Sequence, residues 1–291
     1  KRIGEEQELF LKEIEDIIPQ KLWRVGMNNN ANHNGKGKLK ELKLPEISNL
    51  FKDTILSNND WNKYSPMKVV GEYMREIFYL NKGSKNFRFF SPDETYSNKL
   101  DAIFKEESRA WLLETRPWEK DLSKNGRVVE ILSENTLIGM MMGYILTGRH
   151  AFFATYEAFA QVMVSMIDQY LKFLRVSNTI PWRGDFSSFN IILTAPGWLQ
   201  EHNGYSHQNP GFIDDMLARN SEEVDLYFPI DAVATGYAME MICKSKNKIN
   251  ILVAGKDMER PMFVSEKIAK RSLEEEVIII KGLIDNRSLG R

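Results

Sequence analysis

The chain has 291 residues, 39 basic and 40 acidic side chains, a formal net charge of −1 and 43% hydrophobic residues. That balance suits a soluble globular protein of one large domain, or one domain plus extensions, and supplies no field to draw nucleic acid or a membrane surface. A single cysteine excludes an internal disulfide framework and a cysteine-rich metal site. No apolar run approaches the ~18 residues of a membrane span and no signal-peptide pattern is present, so a cytoplasmic protein is expected. The sequence opens on Lys1 rather than Met, as a trimmed chain or a piece of a longer polypeptide would.

In chain order, residues 1–66 read as an N-terminal extension. Leu9, Phe10, Ile14, Ile17 and Ile18 recur at helical spacing, which predicts a helix over Glu5–Ile18. The polar stretch from Met27 to Lys38, which holds a solvated His33, has no means of building a core. A further helix is predicted from Lys68 to Leu80. From residue 84 the pattern becomes α/β. Candidate strands are Phe87–Phe90, Val128–Leu132, Ala151–Thr155, Phe189–Thr194, Leu226–Phe228 and Ile249–Ala254, most of them separated by helical patterns as βαβ units require.

Two of those helices are unusually apolar. The one after Glu134 carries Leu137, Ile138, Met140, Met141, Met142, Tyr144, Ile145 and Leu146 and leaves no polar face. Core packing and a subunit interface both accommodate such a helix. The one predicted over Ala158–Leu174 confines Gln161, Ser165, Asp168, Gln169 and Lys172 to one stripe, so most of its surface is expected to be buried, in the domain or against another subunit. Cys243 falls in a helix and reads as a small buried hydrophobe rather than a nucleophile.

The most informative stretch runs from Gly197 to Gly211. It holds His202 and His207, two of the chain's four histidines, among glycines, amides and a proline. It follows the apolar run ending at Thr194, and a polar loop at the end of a buried strand is where open α/β sheets place their chemistry. A glycine-rich turn with satisfied histidines accounts for the same pattern.

Several motifs can be read together. They are Phe87–Asn98, Gly126–Glu134, Tyr144–His150, Thr155–Phe159, His202–Gly211 and Val253–Lys256. In this order and at these spacings they resemble the phosphoketolases, thiamine-diphosphate enzymes related to transketolase. The resemblance runs from residue 23 to residue 265. It implies an α/β fold with a largely parallel sheet flanked by helices, of the type that binds the aminopyrimidine ring of the cofactor. It places that domain at 67–265, between the N-terminal extension at 1–66 and a C-terminal extension at 266–291.

Such enzymes also have a domain that grips the cofactor diphosphate and Mg²⁺ through a Gly-Asp-Gly signature. That signature is missing from this sequence. The resemblance therefore implies thiamine diphosphate as cofactor, with Mg²⁺ bound by a partner domain and none by this chain. It implies an obligate oligomer with a diphosphate-binding, phosphoketolase-like chain or domain.

The resemblance also assigns roles. Glu134 matches the carboxylate that hydrogen-bonds the aminopyrimidine and activates the cofactor, work that favours a dry, apolar site. Taken by itself, Glu134 is a helix N-terminal carboxylate stabilised by the dipole. Phe152, Phe153 and Tyr156 resemble the aromatic pocket around the aminopyrimidine, although Phe152 and Phe153 otherwise read as core. His202, Asn203 and His207 match the loop facing the bound sugar, where imidazoles suit proton transfer near neutral pH. Ser97, Lys99 and Lys256 match positions that bind the sugar phosphate, Lys256 as a point charge where a solvated lysine is the plain alternative. Gln200 lines the same pocket, and Tyr156 can hydrogen-bond substrate. Arg149 and His150 belong to a family motif without an assigned role.

The sequence also departs from the family. Asn135 stands where His is usual, and Ile138 and Met142 where acids are usual. Leu199 replaces Arg, while Glu201 and Asn209 replace Asp. Lys99 replaces Arg beside the phosphate position, which removes a bidentate contact. The implied reaction is cleavage of a ketose phosphate with inorganic phosphate to acetyl phosphate and an aldose phosphate. The alternatives are a subunit of a split transketolase-like two-carbon transferase acting on another sugar, and a non-catalytic structural subunit.

Overall fold

The computed structural model describes residues 39–51, 64–93, 95–179, 184–195, 204–207, 209, 211–219, 222–256 and 265–274. The predicted helix at Glu5–Ile18 and the polar loop with His33 lie outside these residues.

The expected parallel α/β architecture is present. Eight strands form one sheet in the order β3-β2-β4-β1-β5-β6-β8-β7. They are β1 (Phe87–Ser91), β2 (Arg109–Ala110), β3 (Leu122–Ser123), β4 (Val128–Glu130), β5 (His150–Thr155), β6 (Phe189–Leu193), β7 (Val224–Tyr227) and β8 (Ile249–Val253). Every pairing between them is parallel. The two-residue strands β2 and β3 are too short to leave a periodic signal and were not foreseen. They continue the sheet past β4 through the pairs Arg109↔Val128 and Arg109↔Leu122. Gly126 makes this edge possible. A Cβ there would lie 2.2 Å from the Arg109 carbonyl oxygen, so only glycine fits the close approach.

The helices are α1 (Ile47–Leu50), α2 (Pro66–Leu80), α3 (Glu134–Ile145), α4 (Glu157–Ala160), α5 (Val164–Asn178), α6 (Gly211–Ala218), α7 (Ala232–Lys244) and α8 (Glu266–Glu274). Their starts follow from capping chemistry. The Ser65 hydroxyl accepts from the Lys68 amide at 3.3 Å and Pro66 follows it at the first helical position. Ser133 caps α3 through the Thr136 amide at 3.3 Å, and buried Asp231 caps α7 through the Ala234 amide at 2.9 Å. The helix predicted over Ala158–Leu174 is instead two helices, α4 and α5, joined by a 3₁₀ turn over Gln161–Met163.

Strand alternation divides the core between two faces. On one face Phe87, Phe89, Phe152, Ala154, Ile192 and Leu252 pack with α2 and α7. On the other, Phe90, Ala151, Phe153, Ile191, Leu193 and Ile251 pack with α3, α5 and α6. Helix α3 buries Leu137, Ile138, Met141 and Ile145 in that second core and leaves Met140 exposed. Cys243 is buried in α7, where burial pushes its thiol pKa well up.

Part of the N-terminal extension is bonded into the domain at the amino edge of the sheet. The Lys40 amide donates to the Gly148 carbonyl at 2.8 Å. Asn81 Nδ2 donates to the Lys43 carbonyl at 2.8 Å and Asn86 Nδ2 to the Glu41 carbonyl at 2.7 Å. His150 Nε2 lies 2.7 Å from the Lys40 carbonyl oxygen. A carbonyl only accepts, so this nitrogen carries the proton. At the other end, Ala269 of α8 is fully buried and Tyr237 donates to Glu266 Oε2 at 2.8 Å.

Burial holds the His150 imidazole below its ordinary pKa, opposed in part by the bond to Lys40. The unfolded chain therefore takes up a proton before the folded one does. The stability held by the neutral ring is complete above the ordinary histidine range and is lost as pH falls through the lowered folded value. Urea unfolding from about pH 7 to about pH 5 is expected to show a loss of stability that His150→Gln reduces. Equal slopes in the two proteins would contradict this.

Candidate functional site

The chain leaves β1 for β4 on one side and then crosses back to β5 on the other. At such a reversal the connections diverge and a crevice opens beyond the carboxyl ends of the strands. A cleft of about 420 Å³ occupies this position. Pro92 and Asp93 follow β1, Leu132 and Glu134 follow β4, Thr155, Tyr156 and Phe159 come from the end of β5 and from α4, and His207 comes from the loop after β6.

One wall is aromatic. The Tyr156 and Phe159 rings lie 6.1 Å apart at 24°. His207 stands edge-on to Phe159 at 4.9 Å and tilted against Tyr156 at 5.7 Å. Lys256, just beyond β8, hydrogen-bonds the Tyr156 hydroxyl, and its ammonium lies 4.2 Å from the Tyr156 ring centroid. Two acidic residues, Asp93 and Glu134, also line the cleft. Thr155 is a further lining residue. Its hydroxyl oxygen is buried with no hydrogen-bond partner among the described residues.

The loop after β1 is pinned at both ends. Glu130, the last residue of β4, accepts from the Thr95 amide at 2.8 Å, the Thr95 hydroxyl at 2.6 Å and Arg109 Nε at 2.6 Å. The Thr194 hydroxyl beyond β6 donates to buried Asn98 Oδ1 at 2.7 Å. Between these ties Ser97 donates to Asp93 Oδ2 at 2.5 Å.

Of the residues singled out in the sequence, the structure brings Glu134, Tyr156 and His207 to one cleft and seats Lys256 against Tyr156. Ser97 stands one hydrogen bond behind the lining, through Asp93. Lys99 is not among the lining residues; its backbone turns at φ 60°. Phe152 and Phe153 are not brought to the cleft either. They lie inside β5, 1% and 0% exposed, one in each core, because a strand packed on both faces has no free side. Gln200, His202 and Asn203 lie outside the described residues.

The setting of Glu134 also differs from the dry site expected. Among the described residues it is only partly buried at the start of α3, and neighbouring Leu132 is 90% exposed. Of the two α3 positions where the resemblance implies acids, Ile138 is fully buried, which leaves no solvated room for a carboxylate, and Met142 is partly buried against the same core.

Sequence reasoning assigned no role to Phe159, Asp93 or Thr155. Phe159 had a signal, since an aromatic three residues beyond Tyr156 on a helical turn shares its face. Asp93 and Thr155 had none beyond their places at the ends of predicted strands.

The profile of the family described as D-xylulose 5-phosphate/D-fructose 6-phosphate phosphoketolase matches residues 68–245. A probable phosphoketolase of Nitrosospira multiformis is 40% identical over 252 residues, 87% of this chain and 31% of that protein. One from Chlorobaculum tepidum is 40% identical over 249 residues, 85% of this chain and 31% of that protein. The chain thus spans about a third of the length of these relatives. Among solved structures, a transketolase of Pichia stipitis in complex with sedoheptulose 7-phosphate aligns with TM-score 0.51 at 18% identity, over 93% of this chain and 36% of that one. The transketolase of Leishmania mexicana aligns with TM-score 0.51 at 15% identity, over 72% and 28%. At that identity the likeness concerns the fold.

Two outcomes test this anatomy. Phe153→Ala, in the core, is expected to cost about 3–5 kcal/mol of stability, and Phe159→Ala, at the cleft wall, far less; equal losses by chemical denaturation would refute the division. Glu130→Ala is expected to destabilise by about 1–3 kcal/mol, the scale of leaving partly buried donors unpaired. It should also speed hydrogen exchange at the Thr95 amide, and unchanged exchange there would show that Glu130 does not hold the loop.

Proposed function

The chain belongs to the phosphoketolase family, and on that premise we propose that it is the aminopyrimidine-binding part or subunit of a thiamine-diphosphate enzyme that cleaves a ketose phosphate. The observation that carries this reading is the meeting of Glu134, Tyr156, Phe159 and His207 around one cleft outside the carboxyl ends of the strands. The residues present fit the group. A flat heteroaromatic ring calls for apolar walls, a carboxylate at its edge and few further polar groups. Tyr156 and Phe159 supply the walls, Glu134 the carboxylate, and Thr155 a buried hydroxyl in want of a partner.

When bound, thiamine diphosphate supplies the nucleophilic carbon with which a bond beside a ketose carbonyl is broken. Glu134 would accept a hydrogen bond from the aminopyrimidine edge and orient it. Tyr156 and Phe159 would pack on the ring and exclude water. His207, facing the same space, would hold or move a proton on the sugar side, a task to which imidazole is suited near neutral pH. Lys256, held on Tyr156, would meet the phosphate of the substrate as a point charge. His202, Asn203, Gln200 and Ser97 are proposed to complete the sugar site, and Lys99 to approach the phosphate from outside the cleft lining.

Grip on the diphosphate and Mg²⁺ falls to another domain or chain, since the sequence holds no Gly-Asp-Gly signature. The open side of the cleft at Leu132 is where such a partner would exclude water. The proposed products are acetyl phosphate and an aldose phosphate, with inorganic phosphate as co-substrate.

The test is reconstitution with the diphosphate-binding chain or domain, followed by assay of acetyl phosphate formed from ketose phosphate and inorganic phosphate. Glu134→Gln is expected to lower turnover of the complex by about 10²–10⁴-fold. Unchanged turnover would leave this chain a structural subunit. Two-carbon transfer to an aldose without acetyl phosphate would make the complex transketolase-like.

A further inference from the structure

His207 is fixed by more than its aromatic neighbours. Phe159 and Tyr156 define the plane of the imidazole, edge-on at 4.9 Å and tilted at 5.7 Å. Those contacts are indifferent to a half-turn of the ring about its bond to Cβ, which exchanges Nδ1 for a carbon. The hydroxyl of Ser206 removes that indifference, because Ser206 Oγ lies 2.7 Å from His207 Nδ1. The other nitrogen, Nε2, has no partner among the described residues, and the side chain lines the cleft.

We propose that Ser206 is a positioning residue. It donates its hydroxyl proton to Nδ1 of neutral His207, which selects one ring orientation and one tautomer and presents Nε2–H to the cleft. A neutral imidazole has one protonated and one bare nitrogen, and the bond made by one decides the state of the other. With Nδ1 accepting, Nε2 must carry the proton. A hydroxyl also accepts. When the ring takes a second proton at Nδ1, the same serine can turn and receive it without moving the backbone. Ser206 therefore suits a histidine that changes protonation state during turnover. Loss of the hydroxyl leaves Nδ1 without this partner and frees both the half-turn and the tautomer.

The tautomer is a property of this chain. Its effect on catalysis rests on the function proposed above, and the two parts are measured separately. The full chain, labelled with ¹⁵N-histidine, is examined by long-range ¹H–¹⁵N spectroscopy at about pH 8, where an ordinary imidazole is neutral. Signals of His207 are identified by their loss in His207→Gln. The expected spectrum shows one tautomer with the proton on Nε2. Ser206→Ala is expected to give mixed tautomers with an unchanged thermal melt, and Ser206→Thr to restore the single one. A proton on Nδ1 in the parent protein, or an unaltered spectrum in Ser206→Ala, would overturn the proposal.

In the reconstituted complex Ser206→Ala should lower turnover about 10- to 100-fold, part of the usual contribution of a positioned acid or base, with Ser206→Thr recovering it. If the spectra behave as expected but the complex forms no acetyl phosphate, the functional reading fails and the positioning role stands.

Discussion

Burial on both faces governs this molecule. A parallel sheet covered by helices on each side admits almost no polar side chain within its central strands. Strands β1, β5, β6 and β8 are buried nearly throughout, and the asparagines they admit are bonded inside the core, Asn250 Nδ2 to Asn190 Oδ1 at 2.7 Å and Asn190 Nδ2 to the Ala151 carbonyl at 3.1 Å. Groups able to do chemistry therefore collect past the strand ends. They converge where the chain reverses direction across β1, and the residues beyond β1, β4, β5 and β6 meet there although they are distant in sequence.

The same constraint separates aromatic residues that look alike in the sequence. Phe152 and Phe153 precede Tyr156 by only a few positions, yet the strand ends at Thr155. Before that point a ring must enter one core or the other. After it, the turn of α4 brings Tyr156 and Phe159 to the cleft, Tyr156 still largely buried and Phe159 exposed. A shift of a few residues changes a core filler into a wall.

Much of this was legible in advance. The apolar runs located β1, β5, β6 and β8 to within a residue at either end, because buried strands bounded by polar turns have few other readings. Helix α2 was placed with its start two residues late, and α3 with its start at Glu134, while the caps Ser65 and Ser133 were not read. What escaped had physical reasons. Strands β2 and β3 are two residues long and owe their existence to a glycine contact rather than to a pattern. The break between α4 and α5 falls at Gln161–Met163, where Gln161 still fits the polar stripe of one continuous helix, so the periodicity carries no mark of it. At the cleft, family likeness pointed to Glu134 and to the loop that carries His207, both of which line it, but which aromatics line it depended on where the strand ends. Asp93 could be placed only once Glu130 and Thr194 were seen to hold its loop.

That loop has a mechanical consequence. It is fastened to the end of β4 through Thr95 and to the end of β6 through Asn98, while β1 and β5 run between them. It thus bridges the rim from one flank to the other. The segment beyond β6 is held to this loop at Asn98, which lies one residue from Ser97 and its bond to Asp93. The two banks of the cleft are thus joined by a short polar tether built of three side chains, Glu130, Asn98 and Thr194, and the Thr95 amide and hydroxyl.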